Sequence, residues 1–90
     1  MHKYLYIIGP PRRKNKKYSV YKWNEEEQRH NYLLSFGDIR YQHYKDNTPL
    51  NLYENLNHLD EKRKDNYYKR HGTTNNKDLA KWWSNNYLWK

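Results

Sequence analysis

The chain has 90 residues, with 18 Lys and Arg against 10 Asp and Glu, four Trp, eleven Tyr and no Cys; it allows one domain and excludes a disulfide framework or thiolate-bound zinc. No apolar stretch approaches the roughly 20 residues of a membrane-spanning helix. Tyr4 to Ile8 is too short for a secretory signal and is followed by Pro-Pro-Arg-Arg, so a soluble intracellular protein is expected.

Lys3 to Gly9 alternates in polarity and is rich in β-formers, which predicts a first strand, broken by Gly9-Pro10-Pro11. Arg12 to Lys17 is a polar connector. Lys17 to Trp23 predicts a second strand, with Tyr18, Val20 and Lys22 on one face and Ser19, Tyr21 and Trp23 on the other. Asn24 to Arg29 is a charged turn, and His30 to Phe36 predicts a third strand stopped at Gly37-Asp38. Three consecutive strands make an antiparallel meander, stable once one face is covered. Beyond Gly37 the alternation stops. Leu50 to Leu56 predicts a short helix, with Thr48 as N-cap and Pro49 at its first position. Asp60 to His71 carries the strongest helix signals: Asp60 as N-cap, Lys69, Arg70 and His71 in the last turn, and Gly72 at C′. Asp78 to Ser84 predicts a last short helix, ended by Asn85-Asn86, with Tyr87 to Trp89 extended.

The fold class is therefore α+β: a three-stranded antiparallel β-meander followed by two or three short α-helices. It forms a single domain, 1–90, with a basic β-meander (1–36) and a helical half (37–90). Leu, Ile, Val and Phe number only 14, so the core has to be built largely from aromatic rings. The closing Trp82, Trp83 and Trp89 meet that need if the C-terminal tail packs back on the sheet. Adjacent helical residues diverge, so one of Trp82 and Trp83 is expected to face outward.

Charge is gathered at the front. Residues 1–23 contain seven Lys or Arg and no acid; residues 24–90 contain eleven against ten acids. Arg12-Arg-Lys-Asn-Lys-Lys17 places five cations in six residues. Cations projecting together from a connector release the counterions of a polyphosphate and bind it with steep salt dependence. The candidate phosphate contacts are Arg12, Arg13, Lys14, Lys16 and Lys17, flanked by Lys3 and Lys22. Contact with the backbone implies little sequence preference. Tyr4, Tyr6, Tyr18, Tyr21 and Trp23 alternate nearby. They would suit stacking on single-stranded bases if one sheet face stayed open, but cover by the C-terminal helices is the expected arrangement.

Arg40, Arg63 and Arg70 are expected to work inside the fold, stacking on rings and pairing with Asp38, Asp46 or Asp60. His2, His30, His43, His58 and His71 lack the close spacing of a helical zinc motif, so no metal or other cofactor is expected. No nucleophile elbow, phosphate-binding glycine loop or close carboxylate pair is present, and no enzymatic activity is expected.

Phe36-Gly-Asp-Ile-Arg-Tyr41, Tyr44-Lys-Asp46, His58-Leu-Asp60, Arg63, Tyr67 or Tyr68, Lys69-Arg-His-Gly72, Ala80-Lys-Trp-Trp-Ser84 and Tyr87-Leu-Trp89 follow one another in order. This pattern resembles a family of small basic proteins encoded by large double-stranded DNA (nucleocytoplasmic, giant) viruses. The resemblance covers residues 30–90, and the stretch between Gly72 and Ala80 is shorter here. It implies a viral protein, located in the virion or at an intracellular assembly site, and DNA ahead of RNA as the polymer. It assigns no catalytic residues. The expected function is non-enzymatic binding of nucleic acid through the basic hairpin. The alternatives are a structural or adaptor component that grips acidic viral proteins, and a metal-dependent nuclease using His58 and Asp60. Neither a membrane nor a small-molecule substrate is expected as a partner.

Overall fold

In the computed structural model, which describes residues 4–90, three strands form one antiparallel sheet in the order β1 (Tyr6–Gly9), β2 (Lys16–Asn24), β3 (Arg29–Asp38). The expected start of the first strand at Lys3 lies outside the described residues. β1 meets β2 through Tyr6–Lys22, Ile7–Tyr21, Ile8–Val20 and Gly9–Ser19. β2 meets β3 through Tyr18–Phe36, Ser19–Ser35 and Val20–Leu34, and the register then slips by one residue. Leu33 is the extra residue of this bulge. Regular pairing would set Leu33 opposite Tyr21. The slip sets Tyr32 there instead, and the two rings meet edge to face with centroids 6.1 Å apart.

One face of the sheet holds the core. Tyr18, Val20 and Phe36 are buried with Trp83 and Leu88 of the C-terminal segment, and Tyr6, Ile8, Leu34 and Tyr53 pack around them. Burying such a side chain contributes roughly 1.5–3 kcal/mol, so these few rings and leucines carry most of the hydrophobic stabilisation. The tail does pack back on the sheet, through helix α2 (Ala80–Tyr87). Trp83 is its anchor: its ring lies 5.4 Å from Tyr6 and 6.3 Å from Phe36, stacks on Tyr87 at 5.7 Å, and donates through Nε1 to the Lys77 carbonyl at 2.7 Å. Trp82 is half-buried beside it.

Helix α2 begins two residues later than expected and runs through Asn85-Asn86 to Tyr87. These asparagines do not end the helix: each side-chain amide donates to a backbone carbonyl, Asn85 outside the helix and Asn86 within it. Asn85 donates to the Gly72 carbonyl at 3.1 Å, and Asn86 to the carbonyl of Trp82 one turn back at 2.8 Å.

The expected helix over Leu50 to Leu56 is reduced to a single 3₁₀ turn, Glu54–Leu56. Thr48 behaves as a cap, its Oγ1 accepting from the Asn51 amide at 3.1 Å, but Asn51 then takes φ 49° and leaves the helical path. The next amides find side-chain acceptors: Leu52 donates to the Tyr18 hydroxyl (2.8 Å) and Tyr53 to Asp46 Oδ2 (3.1 Å). These side-chain acceptors, brought in by the tertiary fold, compete with the i−4 carbonyls for the amides, and here they win.

Helix α1 (Glu61–His71) has the termini read from the sequence. Asp60 Oδ1 accepts from the amides of Lys62 (3.0 Å) and Arg63 (3.2 Å), and Gly72 closes the helix at φ 67°. The helix is held by aromatic contacts. Tyr67 stacks on Trp89 with ring centroids 4.3 Å apart, and the Tyr68 hydroxyl lies 3.0 Å from the Asn85 carbonyl and 2.9 Å from that of Trp89, donating to one at a time.

Candidate nucleic-acid interface

Among the described residues no helix covers the second face of the sheet. It displays Ser19–Ser35, Tyr21–Tyr32 and Trp23–His30 as facing pairs, with Tyr21, Trp23, His30 and Tyr32 only half-buried. Tyr6 and Tyr18 lie on the helix-covered face, as expected; Tyr21 and Trp23 do not. Trp23 and His30 meet edge to face at 5.2 Å, and Trp23 Nε1 donates to Glu25 at 2.6 Å.

The β1–β2 connector lies against this face and is fastened to it. The Arg12 amide donates to Ser19 Oγ at 2.7 Å, Ser19 and Ser35 hydroxyls are 2.9 Å apart, and the Tyr32 hydroxyl is 2.8 Å from Ser35 Oγ. Arg13 Nε donates to that same Tyr32 hydroxyl at 3.0 Å. The chain reverses at Arg13–Lys16, where Asn15 takes a left-handed φ of 65°, a conformation Asn tolerates better than most residues. The guanidinium carbons of Arg12 and Arg13 lie 5.3 and 5.6 Å from the Tyr32 ring centroid. Arg12, Arg13, Lys14 and Tyr32 line one open recess of ≈ 470 Å³. Burial raises the Tyr32 phenol, but hydrogen bonds from Ser35 and Arg13 and the two guanidinium charges outweigh it, and its pKa falls below the ordinary value. The recess therefore favours negative charge at its floor.

The remaining candidate cations separate. Lys3 lies outside the described residues. Lys22 sits on the helix-covered face, over the Tyr6 ring and paired with Asp78 at 3.6 Å. Lys16 is half-exposed and opens onto a different groove, between β3 and the helices. Lys17 must be withdrawn from the phosphate contacts: it is 2% exposed, and its Nζ donates to His43 Nδ1 (2.7 Å) and to the Tyr41 carbonyl (2.8 Å). Its run of charged neighbours disguised a side chain that is as much a part of the interior as Tyr18.

Lys17 belongs to a buried polar network that moors residues 41–57 to β2. Burial lowers the Lys17 ammonium to about 8, opposed by Asp38 and Asp46, so it stays charged at neutral pH. Burial, and then the Lys17 charge, lower His43 to about 4. The neutral imidazole accepts at Nδ1, so Nε2–H donates to Asn57 Oδ1 at 2.7 Å. That oxygen also accepts the Asp46 amide at 2.7 Å. The Asp46 carboxylate accepts from the Tyr18 hydroxyl (2.5 Å), from Thr48 N and Oγ1 (2.9 and 2.6 Å) and from Tyr53 N (3.1 Å). Burial raises Asp46, yet these bonds bring it below the ordinary carboxylate range.

Most of the acids have partners other than Arg12, Arg13 and Lys14. Asp46 is buried in the network just described, and Asp60 caps α1. Asp38 is gripped by Arg40 Nε and Nη2 (3.0 and 2.7 Å), which holds it well below the usual carboxylate range. Glu25 bonds Trp23, Glu27 bonds Arg29, Glu54 bonds Asn51, Glu61 bonds the Tyr44 hydroxyl and Asp78 pairs with Lys22. Among the described residues no acid lies within ion-pairing distance of Arg12, Arg13 or Lys14.

Of the three arginines expected inside the fold, only Arg40 pairs with a named acid, and it does so at the surface. Arg63 bonds Gln42 Oε1 at 3.0 Å, and both it and Arg70 are exposed along a groove. Among the described residues no three His, Asp or Glu side chains converge on a common point. His58 Nδ1 accepts from the Asp60 amide at 2.9 Å and its ring lies 5.2 Å from Trp89, so the pair named for a nuclease serves the start of α1. Tyr32 and the two serines beneath the connector were missed. The signal was the Ser19/Ser35 pairing, which becomes visible only once the register is known. Among the described residues no helix is long and apolar enough to cross a membrane.

The architecture is that of a small α+β protein with a C-terminal helix packed on one face of its sheet. No family model matches the chain, and neither a curated protein nor a solved structure is significantly similar to it.

Proposed function

We propose that this is a non-enzymatic nucleic-acid-binding protein that grips a phosphate backbone with Arg12, Arg13 and Lys14. One observation carries the reading: two guanidinium groups converge over the half-buried Tyr32 ring on the aromatic sheet face, and among the described residues no acid is paired to them. Phosphate contacts from these cations supply affinity with little sequence preference. The half-exposed rings of Tyr21, Trp23 and Tyr32 favour a single strand, whose bases can stack; such contacts are worth about 1–3 kcal/mol per base. The viral resemblance suggests genome-associated DNA as the polymer.

A second reading has one observation in its favour. Tyr4, Leu5 and Ile7 are exposed along the β1 edge beside Trp82, an apolar strip suited to protein contact in a virion structure.

Fluorescence anisotropy at low salt with single-stranded DNA, duplex DNA, RNA and a non-nucleic polyanion tests the proposal. Tightest binding to a single strand, lost in R12E/R13E/K14E, supports it. Absence of binding to every nucleic acid, or an unaffected triple variant, overturns it.

A further inference from the structure

A second cationic groove lies on the helical side of the molecule. Tyr41, Gln42, Arg63, Asn66, Lys69, Arg70 and Trp89 line a recess of ≈ 540 Å³. It runs into an adjoining one of ≈ 620 Å³ that shares Tyr41, Gln42, Arg70 and Trp89 and adds Lys16, His71 and Lys81. Arg63 and Arg70 are seven residues apart on α1, two helical turns, so their guanidiniums follow one face. Arg63, Lys69, Arg70 and Lys81 are exposed and Lys16 half-exposed, and none of the five has an acid within ion-pairing distance among the described residues. Asp38 is the one acid in the lining, and Arg40 already occupies both its oxygens. Tyr41, 66% exposed, and Trp89 supply ring surface; Gln42 and Asn66 supply amide donors and acceptors.

A groove with unpaired cations, planar rings and side-chain amides matches the chemistry of a nucleotide strand: charge for phosphate, ring for base, amide for base edge. Lys16 makes the connection. It belongs to the same tight turn as Lys14, yet it lines this groove, and the Asn15 carbonyl of that turn accepts from the Ile39 amide at 3.1 Å at the end of β3. Cations thus run from Arg12 and Arg13 through Lys14 and Lys16 to Arg70, Lys69 and Arg63.

We infer that this groove receives the continuation of the strand bound at the connector, giving a two-part site that passes round the end of the sheet. The inference rests on the proposed function, and oligonucleotide length separates the two. A single-stranded oligonucleotide of about 4 nucleotides fits the connector site, and one of about 12 reaches both. The full chain should bind the longer one with a log–log salt slope steeper by about 2, from three further phosphates at about 0.7 each. R63Q/K69Q/R70Q should remove that gain while leaving the short oligonucleotide's affinity unchanged. Photo-crosslinking of the longer strand should map to Tyr41 or Trp89. Arg63, Lys69 and Arg70 are exposed and, among the described residues, only Arg63 of the three makes a hydrogen bond, to Gln42, so the triple variant should keep the wild-type circular dichroism and melting temperature. Equal slopes for the two lengths, or a length gain that survives in R63Q/K69Q/R70Q, would overturn the groove and leave the connector site standing. Short-strand binding insensitive to R12E/R13E/K14E would overturn the connector reading and, with it, the continuation into the groove.

Discussion

Acidification below pH 6.5 should loosen this protein, because of His43. The imidazole is wholly buried and faces the Lys17 ammonium, with Asp46 and His58 as the other charged or titratable neighbours. Its pKa is lowered from 6.5 to about 4. Between these values the unfolded chain binds the proton and the folded chain does not, so stability is full above 6.5 and falls as the pH drops towards 4. Integrating from pH 7 to 4.5 at 1.36 kcal/mol per pH unit gives a loss of about 2.5 kcal/mol. That is a large share of the 5–15 kcal/mol typical of a domain. Tyr18 and Asp46 titrate outside this window; His58, also lowered by burial, adds to the loss in the same direction. The assay is urea unfolding followed by tryptophan fluorescence at pH 7 and pH 4.5. With a slope of about 1–2 kcal/mol per molar, the midpoint should fall by roughly 1.2–2.5 M. In His43→Gln an amide can still accept from Lys17 and donate to Asn57 but cannot take a proton, so most of the pH dependence should vanish. An equal midpoint shift in wild type and His43→Gln would refute the reasoning, as would a wild-type midpoint unchanged over this range.

Other perturbations have defined outcomes. Asp60→Ala removes the acceptor of two α1 amides and should lower stability by about 1 kcal/mol in chemical denaturation, without altering nucleic-acid affinity. Trp89→Ala deletes the ring on which Tyr67 stacks; hydrogen exchange should show the amides of α1 opening while β2 and β3 stay protected. Gly37→Ala places a Cβ 2.9 Å from Leu88 and 3.0 Å from the Lys17 side chain at φ 75°, and thermal melting should report a loss of about 2–4 kcal/mol from backbone strain plus overpacking.

The strands and α1 were legible because their signals are local. Alternation marks β2, and the Asp60 cap with the Gly72 stop marks α1. The segment around Leu50 was misread for a tertiary reason: its amides are claimed by Asp46 and Tyr18, partners that the local sequence does not announce. Lys17 illustrates the same limit. Five cations in six residues read as one exposed run, but the strand begins inside that run and carries Lys17 into the interior. The bulge at Leu33 hid Tyr32 from the candidate site, since side-chain facing depends on register and a one-residue slip reverses it. The aromatic tail was easier to place, because a chain so poor in aliphatic residues has little else from which to close a core.

The most direct measurement is the salt dependence of single-strand binding by wild type and by R12Q/R13Q/K14Q, using an oligonucleotide of about 4 nucleotides so that only the connector site is engaged. Wild-type affinity should fall linearly with salt on log–log axes, and the triple variant's slope should be shallower by about 2, about 0.7 for each phosphate no longer neutralised. Identical slopes for the two proteins would mean that Arg12, Arg13 and Lys14 do not touch the backbone.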